Sequence, residues 1–193
     1  MLISLGTVWY ERAPRIQTLL RARTLAVDVT RGSASVHGSK EKSLQDTYAP
    51  NSVCFGCGPK NRDGLRLKSK LKGSKVVADW TPRPSHTAFA GYASGGIISV
   101  LLDCNGNWAA ATSLMKERKL AKPPGTVTAN YTVTFVRPTP LDSPWHMIAW
   151  ADRIEGNRVS VQGKLKAGGE TTATMSGLFV AVGPGHPAFH RWA

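Results

Sequence analysis

The chain has 193 residues, 41% hydrophobic and 19% charged, a composition that excludes a disordered, collagen-like or coiled-coil protein. That length favours one domain with a full core over two. Lys and Arg outnumber Asp and Glu by 25 to 12, for a net charge of +13, so an anionic partner is expected: nucleic acid, a membrane surface or a phosphorylated small molecule.

Residues 1–47 read differently from the rest. The first fifty residues carry seven basic and four acidic side chains, and 31–42 (RGSASVHGSKEK) is polar, Gly/Ser-containing and without periodicity, as in a linker. Residues 12–27 fit a short Arg-rich amphipathic helix, which leaves three readings open: a transit peptide, a surface helix or a start codon placed too early. Arg12 and Arg15 follow the opening apolar residues, unlike a secretory signal. No apolar run nears the roughly 18 residues of a membrane span. The expected location is cytoplasmic, or organellar if residues 1–30 are a transit peptide.

The main domain is expected over 48–183, with 184–193 as a loose tail. Residues 64–73 (GLRLKSKLKG) alternate Leu65, Leu67, Ser69 and Leu71 with Arg66, Lys68, Lys70 and Lys72, the pattern of a half-buried strand with a basic outer face. Residues 75–80 pair with it as a hairpin across Gly73-Ser74. After a Pro-broken loop, Gly95-Gly96 opens one helix of roughly 20 residues, from 97 to about 119, ending before Pro123-Pro124. Four strands follow at 126–137, 145–153, 158–166 and 171–182, separated by Pro and Gly turns. The helix is apolar nearly all round and must be buried against an antiparallel sheet. Within it Ser99, Asp103 and Asn107 recur at i, i+4 and i+8, so they share one stripe.

The segments CFGCGPKNRDGLRL (54–67), SGGIISVLLDCNGNWAAA (94–111) and VTFVRPTP (133–140) resemble the hotdog-fold thioesterases, in particular their phenylacetate-pathway (PaaI-like) branch. The resemblance implies an α+β hotdog fold, a six-stranded antiparallel sheet wrapped around one long central helix. It implies hydrolysis of an acyl-coenzyme A thioester, without a cofactor, in a homodimer or dimer of dimers. The alternative within the same fold is a non-catalytic acyl-CoA or lipid-binding protein. By the same resemblance the Gly95 amide at the helix start polarises the thioester carbonyl, Asp103 is nucleophile or general base, and Asn107 orients the water or carboxylate. Ser94 stands where the family usually has His. Ser94, Gly96, Ser99, His86 and Arg137 are expected to contact substrate, and Arg137, Lys116, Arg118 and Lys119 are the candidates for the phosphates of coenzyme A.

Two further features have plainer readings. Cys54 and Cys57 form a lone CxxC followed by Gly58-Pro59, with no second pair at metal spacing, so a compact turn and no metal site is expected. The basic strand face lacks an accompanying recognition helix, finger or RNA-binding pattern, so a solvated surface is expected and not a nucleic-acid interface.

Overall fold

In a computed structural model the described residues are 42–192; the transit-peptide and early-start readings and most of the linker lie outside them. The elements in chain order are α1 (Leu44–Tyr48), β1 (Lys70–Lys72), β2 (Lys75–Trp80), β3 (Thr87–Phe89), β4 (Tyr92–Ala93), α2 (Gly95–Glu117), β5 (Thr126–Phe135), β6 (Trp145–Glu155), β7 (Arg158–Ala167) and β8 (Glu170–Ala181). Six strands form one sheet in the order β1-β2-β6-β7-β8-β5, with every pairing antiparallel. Helix α2 lies on the inner face of this sheet and packs on β2, β5, β6, β7 and β8.

The sequence dictates this wrap through two periods that meet. In β7 every second residue is buried (Val159, Val161, Gly163, Leu165, Ala167), which gives the sheet one apolar face. Trp145, Met147 and Ala149 of β6 and Ala173, Met175 and Phe179 of β8 extend it. The helix answers with Leu101, Leu102, Trp108, Ala109, Ala110, Ala111 and Leu114, all at 2% exposure or less. Register shifts interrupt β5 at Thr128/Asn130, β6 at Ala151/Arg153 and the β7–β8 pairing at Leu165/Lys166. Such irregularities add bend and twist, as a sheet curved around a helix requires. The helix ends where Lys119 takes φ 51°, the left-handed conformation that closes many helices.

The first strand is shorter than expected. Leu65, Leu67 and Ser69 are buried and alternate as predicted, but pairing with β2 begins only at Lys70. Arg66 has φ 53°, which no strand residue adopts. The 65–67 amides instead bond the preceding loop, Leu65 N–H to Phe55 O and Leu67 N–H to Gly56 O. Buried Ser69 joins a polar network: its N–H donates to Gln45 Oε1 at 2.8 Å, its hydroxyl to Asn105 Oδ1 at 3.0 Å, and Asn105 Nδ2 to Val76 O at 3.2 Å. Through Leu44 and Gln45, α1 is therefore part of the core, although it lies within the stretch read as an extension.

The C-terminal tail is not loose. The Trp192 ring stacks on Trp108 at 4.4 Å between centroids, its Nε1 donates to Pro124 O, and Arg191 Nη1 donates to Thr126 O at 2.5 Å. The low-complexity look of GPGHPAFHRWA hid one large anchor at its end. Trp192→Ala should cost roughly 3 kcal/mol, the low end for removing a buried Trp, read as a fall in the urea midpoint with an unchanged m-value.

Candidate active site

Helix α2 and the edge strand β5 run antiparallel and meet residue by residue. Thr126 Oγ1 donates to Asn107 Oδ1 at 2.7 Å, and Thr128 Oγ1 donates to Asp103 Oδ1 at 2.6 Å. Four helical residues rise about 6 Å and two strand residues about 6.6 Å, so the two repeats stay in step. The shift after Thr128 then lets Tyr131, not Asn130, reach Ser99. One turn further on, the ring of Phe135 lies so close to Gly95 that a Cβ there would sit 3.0 Å from Phe135 Cζ. The stripe read from the sequence is thus real, and β5 is its partner.

At the head of the stripe, Ser94 is the N-cap but its hydroxyl makes no capping bond. Its N–H donates to His86 O at 2.8 Å. The first amides of the helix, Gly95 and Gly96 among them, have no carbonyl partner within it and form the positive end of its dipole. Gly96 is exposed. Unpaired amides of this kind can donate to an anionic group.

Asp103 is half-buried, and burial raises its pKa while the Thr128 hydroxyl and the charge of Arg191 oppose the rise. Asn107 is only 3% exposed, and its amide oxygen is taken by Thr126. That places it as a brace between helix and strand, where the sequence reading had it orient a water. His86 departs further from expectation. It is 5% exposed, its Nδ1 accepts from Arg83 N–H at 2.9 Å, and its ring packs on Trp80 at 4.8 Å. Burial, with the charge of Arg83, lowers its pKa. The residue anchors the loop that leads into Ser94, so the imidazole expected to contact substrate is a structural one. Arg137 is exposed and pairs with Glu170 Oε2 at 2.9 Å. On the basic strand face, Lys68 is paired with Asp46.

Sequence reasoning missed Thr126, Thr128 and Tyr131, which a strand pattern does not mark as site residues. It also missed what the helix does on its other side. The CxxC is not a lone pair, because Cys104 brings its sulfur to within 4.8 Å of those of Cys54 and Cys57. A cavity of about 760 Å³ lies elsewhere, between the C-terminal turn of α2 and the β1–β2 hairpin, lined by Leu71, Met115, Lys116, Leu120 and Ile154. No helix among the described residues is long and apolar enough to cross a membrane.

One long helix held in a six-stranded antiparallel sheet is the hotdog fold, and solved structures agree. A thioesterase superfamily protein from Shewanella loihica PV-4 is similar over 61% of this chain and 91% of its own, with 26% identity and a TM-score of 0.52. The PaaI protein of the phenylacetic acid degradation operon of E. coli matches over 62% and 81%, with 15% identity and a TM-score of 0.53. A putative thioesterase from Ralstonia eutropha JMP134, described as phenylacetic acid degradation-related, matches over 61% and 86%, with 19% identity and a TM-score of 0.52. No family model and no curated protein matches the chain. The chain has the hotdog fold, and its likeness to the hotdog-fold thioesterases, first read from 54–67, 94–111 and 133–140, is borne out at the level of the fold.

The helix–strand ladder has a measurable cost. Thr126→Val leaves the buried Asn107 oxygen without a donor and should destabilise by about 1–3 kcal/mol, seen in denaturant titration.

Proposed function

We infer that the protein hydrolyses an acyl-coenzyme A thioester to free acid and coenzyme A. The observation that carries this reading is the stripe itself: free helix N-terminal amides at Gly95 and Gly96 and a half-buried carboxylate at Asp103 along one open edge. The first would hold the thioester oxygen, the second would attack the carbonyl or activate a water for that attack. Arg137 would exchange Glu170 for a coenzyme A phosphate, since an exposed ion pair holds its partner by only about 0–1 kcal/mol.

Gly95 and Asp103 are eight residues apart on one helix, which separates them by about 12 Å along its axis. Reaction needs the attacking atom within about 3–3.5 Å of the carbonyl carbon. A homodimer with the two helices antiparallel resolves this, with Gly95 of one subunit facing Asp103 of the other. The exposed Tyr131, Phe135 and Val136 on β5 and its exit, at 37%, 52% and 51% exposure, support such an association, because they form an apolar border beside the stripe. A non-catalytic acyl-CoA-binding role is favoured by one feature, Ser94 in place of the family's usual His.

Thioester hydrolysis across a set of acyl-CoAs, followed by release of free thiol, separates the two readings: turnover is expected, and binding without turnover selects the second. Asp103→Asn preserves volume and hydrogen bonding to Thr128, and should lower turnover by at least about 10²-fold with the fold intact; unchanged turnover removes Asp103 from the mechanism. Gly95→Pro removes one N–H at a helix position that accepts Pro and should also be inactive. Refolded together, the two inactive chains should regain activity in mixed dimers, where one of the two sites pairs an intact Gly95 with an intact Asp103. A wild type active as a monomer would refute the shared site.

A further inference from the structure

The cysteines are unexplained by the thioester chemistry. Cys54 and Cys57 sit in a tight loop, and Cys104 comes from α2, one residue after Asp103. Their three sulfur atoms lie within 4.8 Å of one another, with Cys54 Sγ and Cys104 Sγ 3.8 Å apart. Two thiolates on one tetrahedral zinc, each at about 2.3 Å, are separated by about 3.8 Å. The loop is shaped to bring them this close. A Cβ at Gly56 would lie 2.4 Å from Cys104 Sγ and 2.8 Å from Val100 Cγ1, so only glycine lets the turn settle onto the helix.

A buried donor also lies beside the cluster. The indole N–H of Trp108, one turn beyond Cys104 on α2, is buried without a hydrogen-bond partner among the described residues. Neutral thiols are weak acceptors, whereas metal-bound thiolates are commonly held by such donors. In the metal-free cluster the Cys54 and Cys104 sulfurs share a hydrogen bond at 3.8 Å. A divalent cation does the work of that shared proton more strongly. Soft sulfur ligands at tetrahedral spacing select zinc over magnesium or calcium.

The geometry points to a zinc site on Cys54, Cys57 and Cys104, with the fourth tetrahedral position on the side of Cys54 that opens to a pocket of about 460 Å³ lined by Ser52, Val53, His190 and Arg191. The absence of a second cysteine pair had argued against metal; the third ligand instead lies fifty residues away from Cys54 in sequence and next to it in space. Binding releases the thiol protons and leaves the three thiolates and Zn²⁺ with a net charge of −1. The ion would clamp the 54–65 loop to the helix at the level of Asp103.

The test uses the full chain produced with zinc in the medium and purified under reducing conditions. Elemental analysis should give one zinc per chain, removal with a strong chelator should lower the melting temperature by at least about 5 °C, and re-addition of zinc should restore it. Cobalt(II) added to the stripped protein should give the intense sulfur-to-metal charge-transfer absorption of thiolate ligands. Cys104→Ser and Cys57→Ser should each reduce zinc to background. Should either variant misfold, the cobalt spectrum and native thiol counting on the wild type still decide: the thiols should react faster in the stripped protein than in the zinc-bound one. Overturning results are a reduced wild type with no zinc and no cobalt charge-transfer band, zinc retained in folded Cys104→Ser, exclusive binding of copper(I), or a native disulfide that leaves one free thiol.

Discussion

Everything in this molecule follows from burying a 23-residue helix inside a single curved sheet. An α-helix surrounded by strands has nowhere to place polar side chains except against partners supplied by the sheet. The chain meets that constraint with one ladder, in which the stripe Gly95, Ser99, Asp103 and Asn107 lies along β5 through Phe135, Tyr131, Thr128 and Thr126. The rungs change character along its length. At the C-terminal end Asn107 and Thr126 are buried and hydrogen-bonded to each other, and at the N-terminal end the rung is more open and leaves helix amides free. A carboxylate midway between these extremes is held in place without being sealed off.

The same helix has a second polar commitment on another face. Asn105, fully buried, ties α2 to β2 through the Val76 carbonyl and to α1 through Ser69 and Gln45. Cys104 and Trp108 face the loop and tail. Besides the inner sheet face, four different segments therefore meet one element: β5, the β1–β2 hairpin with α1, the 54–65 loop, and the C-terminal tail, the last two through one face that holds Cys104 and Trp108. Small residues make this possible. Ala109, Ala110 and Ala111 are buried at 2% or less, so strands approach the helix backbone closely while its larger side chains interlock elsewhere.

Strong periodicity made the fold legible. The order of two strands, a helix and four strands could be read from alternation, from Gly and Pro punctuation and from the long apolar run, and the i, i+4, i+8 stripe located the helix face that matters. What failed had local causes. The strand at 64–73 has the right alternation, but Arg66 adopts a left-handed backbone that no pattern of side chains reveals, so pairing starts four residues later. His86 looked like a free loop imidazole because sequence shows neither Trp80 beside it nor the Arg83 amide bonded to it. The tail looked unstructured because one Trp at its end outweighs ten small and polar residues. Cys104 could not be joined to Cys54 and Cys57 by spacing, since ligands brought together by tertiary packing leave no periodic trace. The partners of Asp103 and Asn107 were equally hidden, because threonines in a strand are common and their meaning here comes from a register set partly by a bulge.

The stacked indoles of Trp108 and Trp192 carry a consequence of a different kind. Two aromatic chromophores at 4.4 Å, one on the central helix and one on the last residues of the chain, are close enough to couple optically. Their exciton-coupled transitions add to the circular dichroism of the protein a component that reports tail docking, distinct from that of the Trp80–Trp145 pair at 5.2 Å. Undocking of the tail while the sheet stays closed would remove that component and leave the sheet's own signal in place, so local opening at the chain end becomes optically separable from unfolding of the whole domain.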